Sequence, residues 1–267
     1  MKKVGIIAGN GRLPFIASAA ARQRGHEVFV GAIKGEAAEE IGFSATEIAW
    51  VKLGELKKLA HFFKQHSVEN ICFEGKITKT NIFSGHIKPD VDMMLLFMRL
   101  KNKQDDTILS ALCNYFEGKG IHVLHSTSFL EDCLPGRGCL TKKKPTKSQN
   151  EDIQFGWSLA KESARLDIGQ SVVVKEKAVL AIEAIEGTDE AIKRGGTLGH
   201  GGVVVVKVAK PNQDMRFDVP TIGPMTIQSL IQAQASVLAF EAGKTILVEQ
   251  DTVVTMANKN GIVLMGV

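Results

Sequence analysis

Through its first half, short apolar runs alternate with stretches of helical spacing, and that alternation leaves few folds open. Lys3-Val4-Gly5-Ile6-Ile7-Ala8 ends at glycines and reads as a strand buried on both faces. Residues 13–23 have helical spacing with a small-residue face, and 26–32 form a second apolar run. A third strand is predicted at 46–51. A helix follows at 54–66, with Leu56, Leu59, Ala60 and Phe63 on one face. A fourth strand is predicted at 70–75, helices at 91–100 and 106–116, and a strand at 121–124. Strands that alternate with helices predict an α/β domain with a parallel, Rossmann-like sheet covered on both faces.

The pattern changes after residue 132. Cys133-Leu134-Pro135-Gly136-Arg137-Gly138 and Lys142-Lys143-Lys144-Pro145-Thr146-Lys147 have neither period, so 133–150 is predicted as a linker. Beyond it, 150–165 reads as a helix and 170–183 as two strands around a tight turn. A short helix is expected at 188–194, with Thr188 and Asp189 as N-terminal caps. The stretches 245–249, 253–257 and 261–267 read as short strands. The expected organisation is an N-terminal α/β domain at 1–132, a linker, and an α+β catalytic domain at 151–267, with a ligand held where two domains meet.

Composition excludes several classes. The chain has 267 residues, 44% hydrophobic and 23% charged, which suits one large or two modest globular domains. Cys72, Cys113, Cys133 and Cys139 include no C-x-x-C pair, as expected of reduced thiols in a cytoplasmic protein. Met1-Lys2-Lys3 leads straight into a strand, so no signal peptide is expected. No run approaches the ~20 apolar residues of a membrane span. Residues 1–150 carry a net +7 and residues 151–267 a net −3. A basic half suits an anionic ligand and an acidic half suits a metal.

Four segments could carry chemistry. Lys210-Pro211-Asn212-Gln213-Asp214-Met215-Arg216-Phe217-Asp218 crowds opposite charges into nine residues, closed by Val219-Pro220-Thr221-Ile222-Gly223-Pro224. It lies between the strand Val203-Val204-Val205-Val206 and a helical pattern from Thr226, so it must be a loop. Asp214 and Asp218 suit a hard cation such as Mg²⁺, and Lys210 and Arg216 suit an anion. Gly9-Asn10-Gly11-Arg12-Leu13-Pro14 joins the first strand to the first helix, where glycines and unbonded N–H groups favour phosphate. Pro14 breaks the G-x-G-x-x-G spacing. Gly75 and Lys76 end the fourth strand, where α/β sheets bind ligands. Glu186-Gly187-Thr188-Asp189 precedes a helix and offers Glu186 and Asp189 as metal ligands, with a cap or first-turn acid as the commoner role of Asp189. His122 and His125 read as structural, no G-x-S-x-G elbow is present, and nothing alternates aromatic and basic residues as nucleic-acid binders do.

On these residues the chain resembles a known family. Ile-Ala-Gly-Asn-Gly-Arg-Leu-Pro at 7–14, Ala-Ile-Glu-Gly-Thr-Asp at 184–189 and Lys-Pro-x-Gln-Asp-x-Arg-Phe-Asp-x-Pro-Thr-Ile-Gly at 210–223 are similar to the UDP-2,3-diacylglucosamine pyrophosphatases of the LpxI type. The motifs fall in both halves, and the third is long and specific. The resemblance implies two domains with the active site between them. It implies Mg²⁺-dependent hydrolysis to UMP and 2,3-diacylglucosamine 1-phosphate in lipid A synthesis, and an essential C-terminal aspartate, best matched by Asp218. Asp218, Asp214, Arg216 and Lys210 are the expected catalytic set, with Mg²⁺ on Asp218, Asp214 or Glu186. Gly9, Asn10, Gly11, Leu13, Pro14, Gly75, Lys76, Gly187, Thr188, Gln213, Thr221 and Gly223 are the expected substrate-binding set.

The implied partners are a lipid-linked nucleotide sugar and, peripherally, the inner-membrane surface, with the lysines at 142–147 as a headgroup contact. A homodimer is compatible with the sequence, and no nucleic acid is expected. Met93, Met94 and Met98, in the run from Asp90 to Leu100, offer either an adaptable acyl surface or a core helix. Two other readings compete: a nucleotide-dependent oxidoreductase, and a sensor that binds nucleotide sugars or lipids without catalysis. Lys34 and Gly35 stand where a ribose-binding acid belongs, which counts against the first.

Overall fold

The computed structural model describes residues 2–77, 89–100 and 105–267. The chain forms two compact units. The first comprises Met1–Leu130 and Met215–Asp218, and the second Glu131–Asp214 and Val219–Val267.

In the first unit, β1 (Lys3–Ala8), β2 (Glu27–Ile33), β3 (Glu47–Val51), β4 (Asn70–Glu74) and β5 (His122–Val123) make one parallel sheet in the order β3-β2-β1-β4-β5. The helices are α1 (Leu13–Gln23), α2 (Leu56–Gln65), α3 (Val91–Arg99) and α4 (Asp105–Gly118). The apolar stripe expected on α2 is buried, and it meets Ile7, Phe29, Ile71, Met93, Leu96 and Phe116 in one core. Phe217, from the distant segment 215–218, joins that core. Successive strand residues face opposite sides. Cys72 and Glu74 therefore lie on the face away from Ile71 and Phe73, the face left to α1 and its buried Ala17, Ser18 and Ala21.

The second unit is a six-stranded mixed sheet. It contains β6 (Gly138–Cys139), β7 (Ser171–Lys175), β8 (Ala178–Ile182), β9 (Val204–Lys207), β11 (Val237–Phe240) and β13 (Val263–Gly266), in the order β6-β13-β11-β9-β7-β8. Strands β9, β11 and β13 run parallel, β7 and β8 form the expected antiparallel pair, and β6 runs antiparallel to β13. Strands β10 (Thr221–Ile222) and β12 (Ile246–Leu247) pair separately. Helix α5 (Lys147–Arg165) covers the face of Val172, Val174, Val204 and Val206. Helices α6 (Thr188–Gly199), α7 (Pro224–Gln232) and α8 (Gln250–Lys259) cover the face of Val173, Val205, Leu238 and Phe240. The valine run is thus buried on both sides, which is why it shows no alternation.

Three local expectations are corrected. Residues 253–257 lie inside α8: Val253 and Ala257, four apart, both reach the core, so helical spacing outweighs the β-branched composition. Helix α6 continues to Gly199, and its N-cap is Gly187 with no capping side chain. The stretch 133–150, whose Pro, Gly and Lys content reads as a linker, contains β6 and the first turn of α5. That turn is closed by a capping box of Thr146 with Gln149.

Candidate active site

In open α/β sheets a ligand crevice lies outside the carboxyl ends of the strands where chain order reverses. In the first unit that point falls at β1 and β4. Two of the segments singled out from sequence meet there. Gly9 N–H donates to the Glu74 carbonyl at 2.8 Å, Asn10 N–H to the Lys76 carbonyl at 2.7 Å, and Lys76 N–H to the Asn10 carbonyl at 2.9 Å. A Cβ on Gly9 would sit 2.5 Å from the Lys76 carbonyl oxygen, and one on Gly75 would sit 2.5 Å from that of Asn10. These two glycines are therefore required by the approach of the loops to each other. Gly11, at φ 104°, has open space around it, and Leu13 and Pro14 open α1 directly after.

Beneath this junction lies a residue that sequence reasoning passed over. Glu74 is 2% exposed, and neither carboxylate oxygen has a hydrogen-bond partner. Burial pushes its carboxyl well above the usual range, while the Cys72 thiol opposes this only in part. That direction favours the protonated, neutral form of the side chain.

The carboxyl ends of β9 and β11 in the second unit are charged instead. Lys207, 6% exposed, donates from Nζ to Thr188 Oγ1 at 2.8 Å, and Thr188 Oγ1 donates to Glu183 Oε1 at 2.8 Å. This places a buried ammonium beside the first turn of α6, whose N-terminal N–H groups carry partial positive charge. Glu241 follows β11. It accepts from the Ala209 N–H at 2.9 Å and pairs with Lys161 and with Lys244. Burial works against the Glu241 charge, but Lys161, the Ala209 N–H and Lys244 hold its carboxyl below the ordinary range. Lys210 pairs with Asp167 at 2.8 Å, its side chain only 12% exposed. Lys161, Lys207, Glu183 and Glu241 were missed in the sequence. For Lys207, Glu183 and Glu241 the available signal was a lone charge at the end of an apolar strand; Lys161, within α5, offered none.

The charged loop is divided by the architecture. Lys210, Gln213 and Asp214 belong to the second unit, and Arg216 and Asp218 to the first. Gln213 closes a turn on Lys210, its N–H donating to the Lys210 carbonyl at 3.1 Å. Arg216 pairs with Glu117 at 3.1 Å. Asp218 is exposed between buried Phe217 and Val219 and adopts φ 51°. A non-glycine residue in that left-handed region is uncommon and stores strain of about 1–3 kcal/mol at functional positions. Thr221 starts β10 and Gly223 is the N-cap of α7.

Glu186 is occupied otherwise. It receives Arg194 at 2.6 Å, and its own N–H and Arg194 lower its carboxyl pKa. Among the described residues no group of three or more His, Cys, Asp or Glu side chains forms a metal cage. Mg²⁺ needs no such cage: one or two carboxylates with substrate phosphate oxygens suffice. Asp214, Asp218 and Glu186 are all hard oxygen donors of the kind Mg²⁺ takes, and Glu186 is ion-paired with Arg194.

A parallel-sheet unit joined to a mixed-sheet unit with buried charged groups of both signs at its strand ends defines a two-domain α/β protein. The sequence profile of the LpxI N-terminal domain matches residues 3–133, and that of the LpxI C-terminal domain matches residues 136–265. The chain belongs to the LpxI family. It is 30% identical over 279 aligned residues to the UDP-2,3-diacylglucosamine pyrophosphatase LpxI of Caulobacter vibrioides, covering 100% of this chain and 98% of that protein. Solved structures are only loosely similar. A UDP-glucose-4-epimerase from Stenotrophomonas maltophila is 13% identical with a TM-score of 0.31, over 55% of this chain and 41% of that one. An N5-carboxyaminoimidazole ribonucleotide synthetase from Thermotoga maritima is 16% identical at 0.26, over 70% and 42%. Likeness at that level carries no argument.

Proposed function

We propose that this protein hydrolyses the pyrophosphate bond of UDP-2,3-diacylglucosamine to UMP and 2,3-diacylglucosamine 1-phosphate, a step of lipid A synthesis. The observation that carries the reading is the full-length match to the LpxI family, with the charged loop 210–223 intact.

A pyrophosphate diester repels an attacking hydroxide, so the site must neutralise its charge and orient a water in line. Asp218 is the proposed essential carboxylate. Its exposure and its strained backbone, pinned by two buried neighbours, support that role. Asp218 with Asp214 would hold Mg²⁺, which when bound supplies charge neutralisation and a more acidic water. Lys207, the Thr188 hydroxyl and the start of α6 at Gly187 would receive phosphoryl oxygens. Lys210 and Arg216 would add charge by exchanging Asp167 and Glu117 for phosphate. The junction of Gly9, Asn10 and Gly11 with Gly75 and Lys76 is the proposed seat of the nucleotide-sugar portion. Gln213, Thr221 and Gly223 would line the loop.

On this reading the protein would work in the cytoplasm, peripherally at the inner membrane where its lipid substrate would lie. Among the described residues no helix is long and apolar enough to cross a membrane. Mass spectrometry of ligand retained through purification tests the substrate class. A diacylglucosamine phosphate or its UDP derivative is expected. A retained dinucleotide would overturn the reading.

A further inference from the structure

Helix α3 carries apolar residues on two opposite faces, with Asp92 and Arg99 between them, and among the described residues only one of those faces is covered. Met93 and Leu96 are in the first unit's core, with Phe97 packed against it. Val91, Met94, Leu95 and Met98 are exposed by 65%, 49%, 46% and 76%. Their spacing of three, four and seven residues puts them in a single stripe opposite the buried one. An apolar helix stripe is normally covered.

The charges around the stripe narrow its occupant. The acids at the start of this helix, Asp90 and Asp92, are both hydrogen-bonded to the first unit. Asp90 caps the helix and accepts from the N–H groups of Met93 at 2.9 Å and Lys57 at 2.6 Å. Asp92 accepts from Tyr115 Oη at 2.6 Å and pairs with Lys119 at 3.5 Å. The Tyr115 hydrogen bond, aided by Lys119 and Lys57, keeps the Asp92 carboxyl below its ordinary range. Lys57 and Lys119 thus stand near the first turn, and Arg99 ends the helix. An apolar strip bordered by cations matches a bilayer with anionic headgroups. A second copy of the chain fits poorly. Nine residues give a strip about 14 Å long and about 10 Å wide, far below the ~800 Å² per partner of a stable dimer.

We infer that the exposed stripe of α3, Val91, Met94, Leu95 and Met98, is the surface by which the protein docks on an anionic bilayer. This deepens the proposed function, since the substrate's two acyl chains would reside in that bilayer, and it assigns the contact to α3 in place of the lysines at 142–147. Met and Leu side chains enter the acyl boundary while Lys57, Lys119 and Arg99 stay at headgroup level.

The test uses the full chain and vesicles of phosphatidylethanolamine with about a quarter phosphatidylglycerol, without substrate. Two double variants are compared with wild type: Leu95→Glu with Met98→Glu, and Leu95→Ser with Met98→Ser. All four changes are at exposed positions and leave the core intact. Sedimentation with vesicles should show wild type bound and each variant weakened about tenfold or more. The serine pair separates lost apolar contact from charge repulsion. Hydrolysis of detergent-dispersed substrate should persist in both variants. Vesicle binding equal to wild type, or no wild-type binding, overturns the inference. So does a variant that alters the sedimentation coefficient of a self-associated wild type, which would make the stripe a subunit interface. Loss of micellar hydrolysis with vesicle binding intact would make it an acyl site instead. If wild type fails to hydrolyse the micellar substrate, the activity reading falls while vesicle binding still decides the docking surface.

Discussion

The two units finish their sheets in opposite ways. At the carboxyl ends of β1 and β4 the first unit stitches backbone to backbone and buries a neutral acid, Glu74, beneath the junction. At the carboxyl ends of β9 and β11 the second unit places Lys207 and Glu241 in chains of charged partners. The same topological position serves shape in one case and charge in the other. Charge that must respond to a phosphoryl group belongs where ammonium groups are already desolvated, and the second unit has them. The first unit has a backbone junction of Gly9 and Asn10 with Gly75 and Lys76, and it also contains Met215–Asp218.

The largest effect is expected where the division is sharpest. Asp218→Asn keeps side-chain volume and removes the anion. Turnover should fall by about a thousandfold or more, as loss of a catalytic group or metal ligand does. Substrate affinity should stay within a few fold, because Lys207 and Lys210 remain. Near-normal kcat in the presence of Mg²⁺ would transfer the role to Asp214. Chelation with EDTA should silence the wild type to a similar degree.

Lys207 offers the next test. Lys207→Met should lower kcat/KM by about a hundredfold, the scale of one electrostatic donor lost from a desolvated site. Lys207→Arg should recover part of the loss, since it keeps the charge. If Lys207→Met only lowers the unfolding temperature and leaves kcat/KM alone, the strand end is structural and the contrast with the first unit disappears.

Glu74 sharpens the other side. Its folded pKa lies above the unfolded value near 4.5. The native state therefore holds a proton that the unfolded chain releases. Stability from the neutral acid is complete below about pH 4.5 and is lost as pH rises toward the folded pKa. Glu74→Gln is neutral at every pH, so it should match wild type near pH 4. By pH 8 it should unfold about 3 °C or more above wild type. A Tm difference that does not change with pH would mean that the Glu74 pKa is the same in the folded and the unfolded chain.

The parts of the fold that were legible are those with one dominant constraint. Parallel strands covered on both faces leave unbroken apolar runs, so β1, β2, β4 and β9 could be read directly. Residues 253–257 misled because Val-Val-Thr favours strands locally while Val253 and Ala257 serve a helix face globally. The loop 210–223 stood out by charge density, and Gly9 and Gly75 by position. The sequence alone, however, does not tell that those two glycines face each other. Lys207 and Glu241 were invisible for a simpler reason. A single charge after an apolar run normally marks a solvated strand end, and only the order β11-β9-β7 brings them to one sheet edge with Thr188 and Glu183. Glu74 was hidden by the same expectation.

Phosphorus NMR of the reaction tests the central claim most directly. Purified protein is incubated with UDP-2,3-diacylglucosamine, Mg²⁺ and detergent. The account predicts that the two coupled diphosphate signals vanish together and that two phosphomonoester signals of equal area replace them, those of UMP and the diacylglucosamine 1-phosphate. A persistent diphosphate, or its conversion to UDP with release of the free sugar, would contradict it.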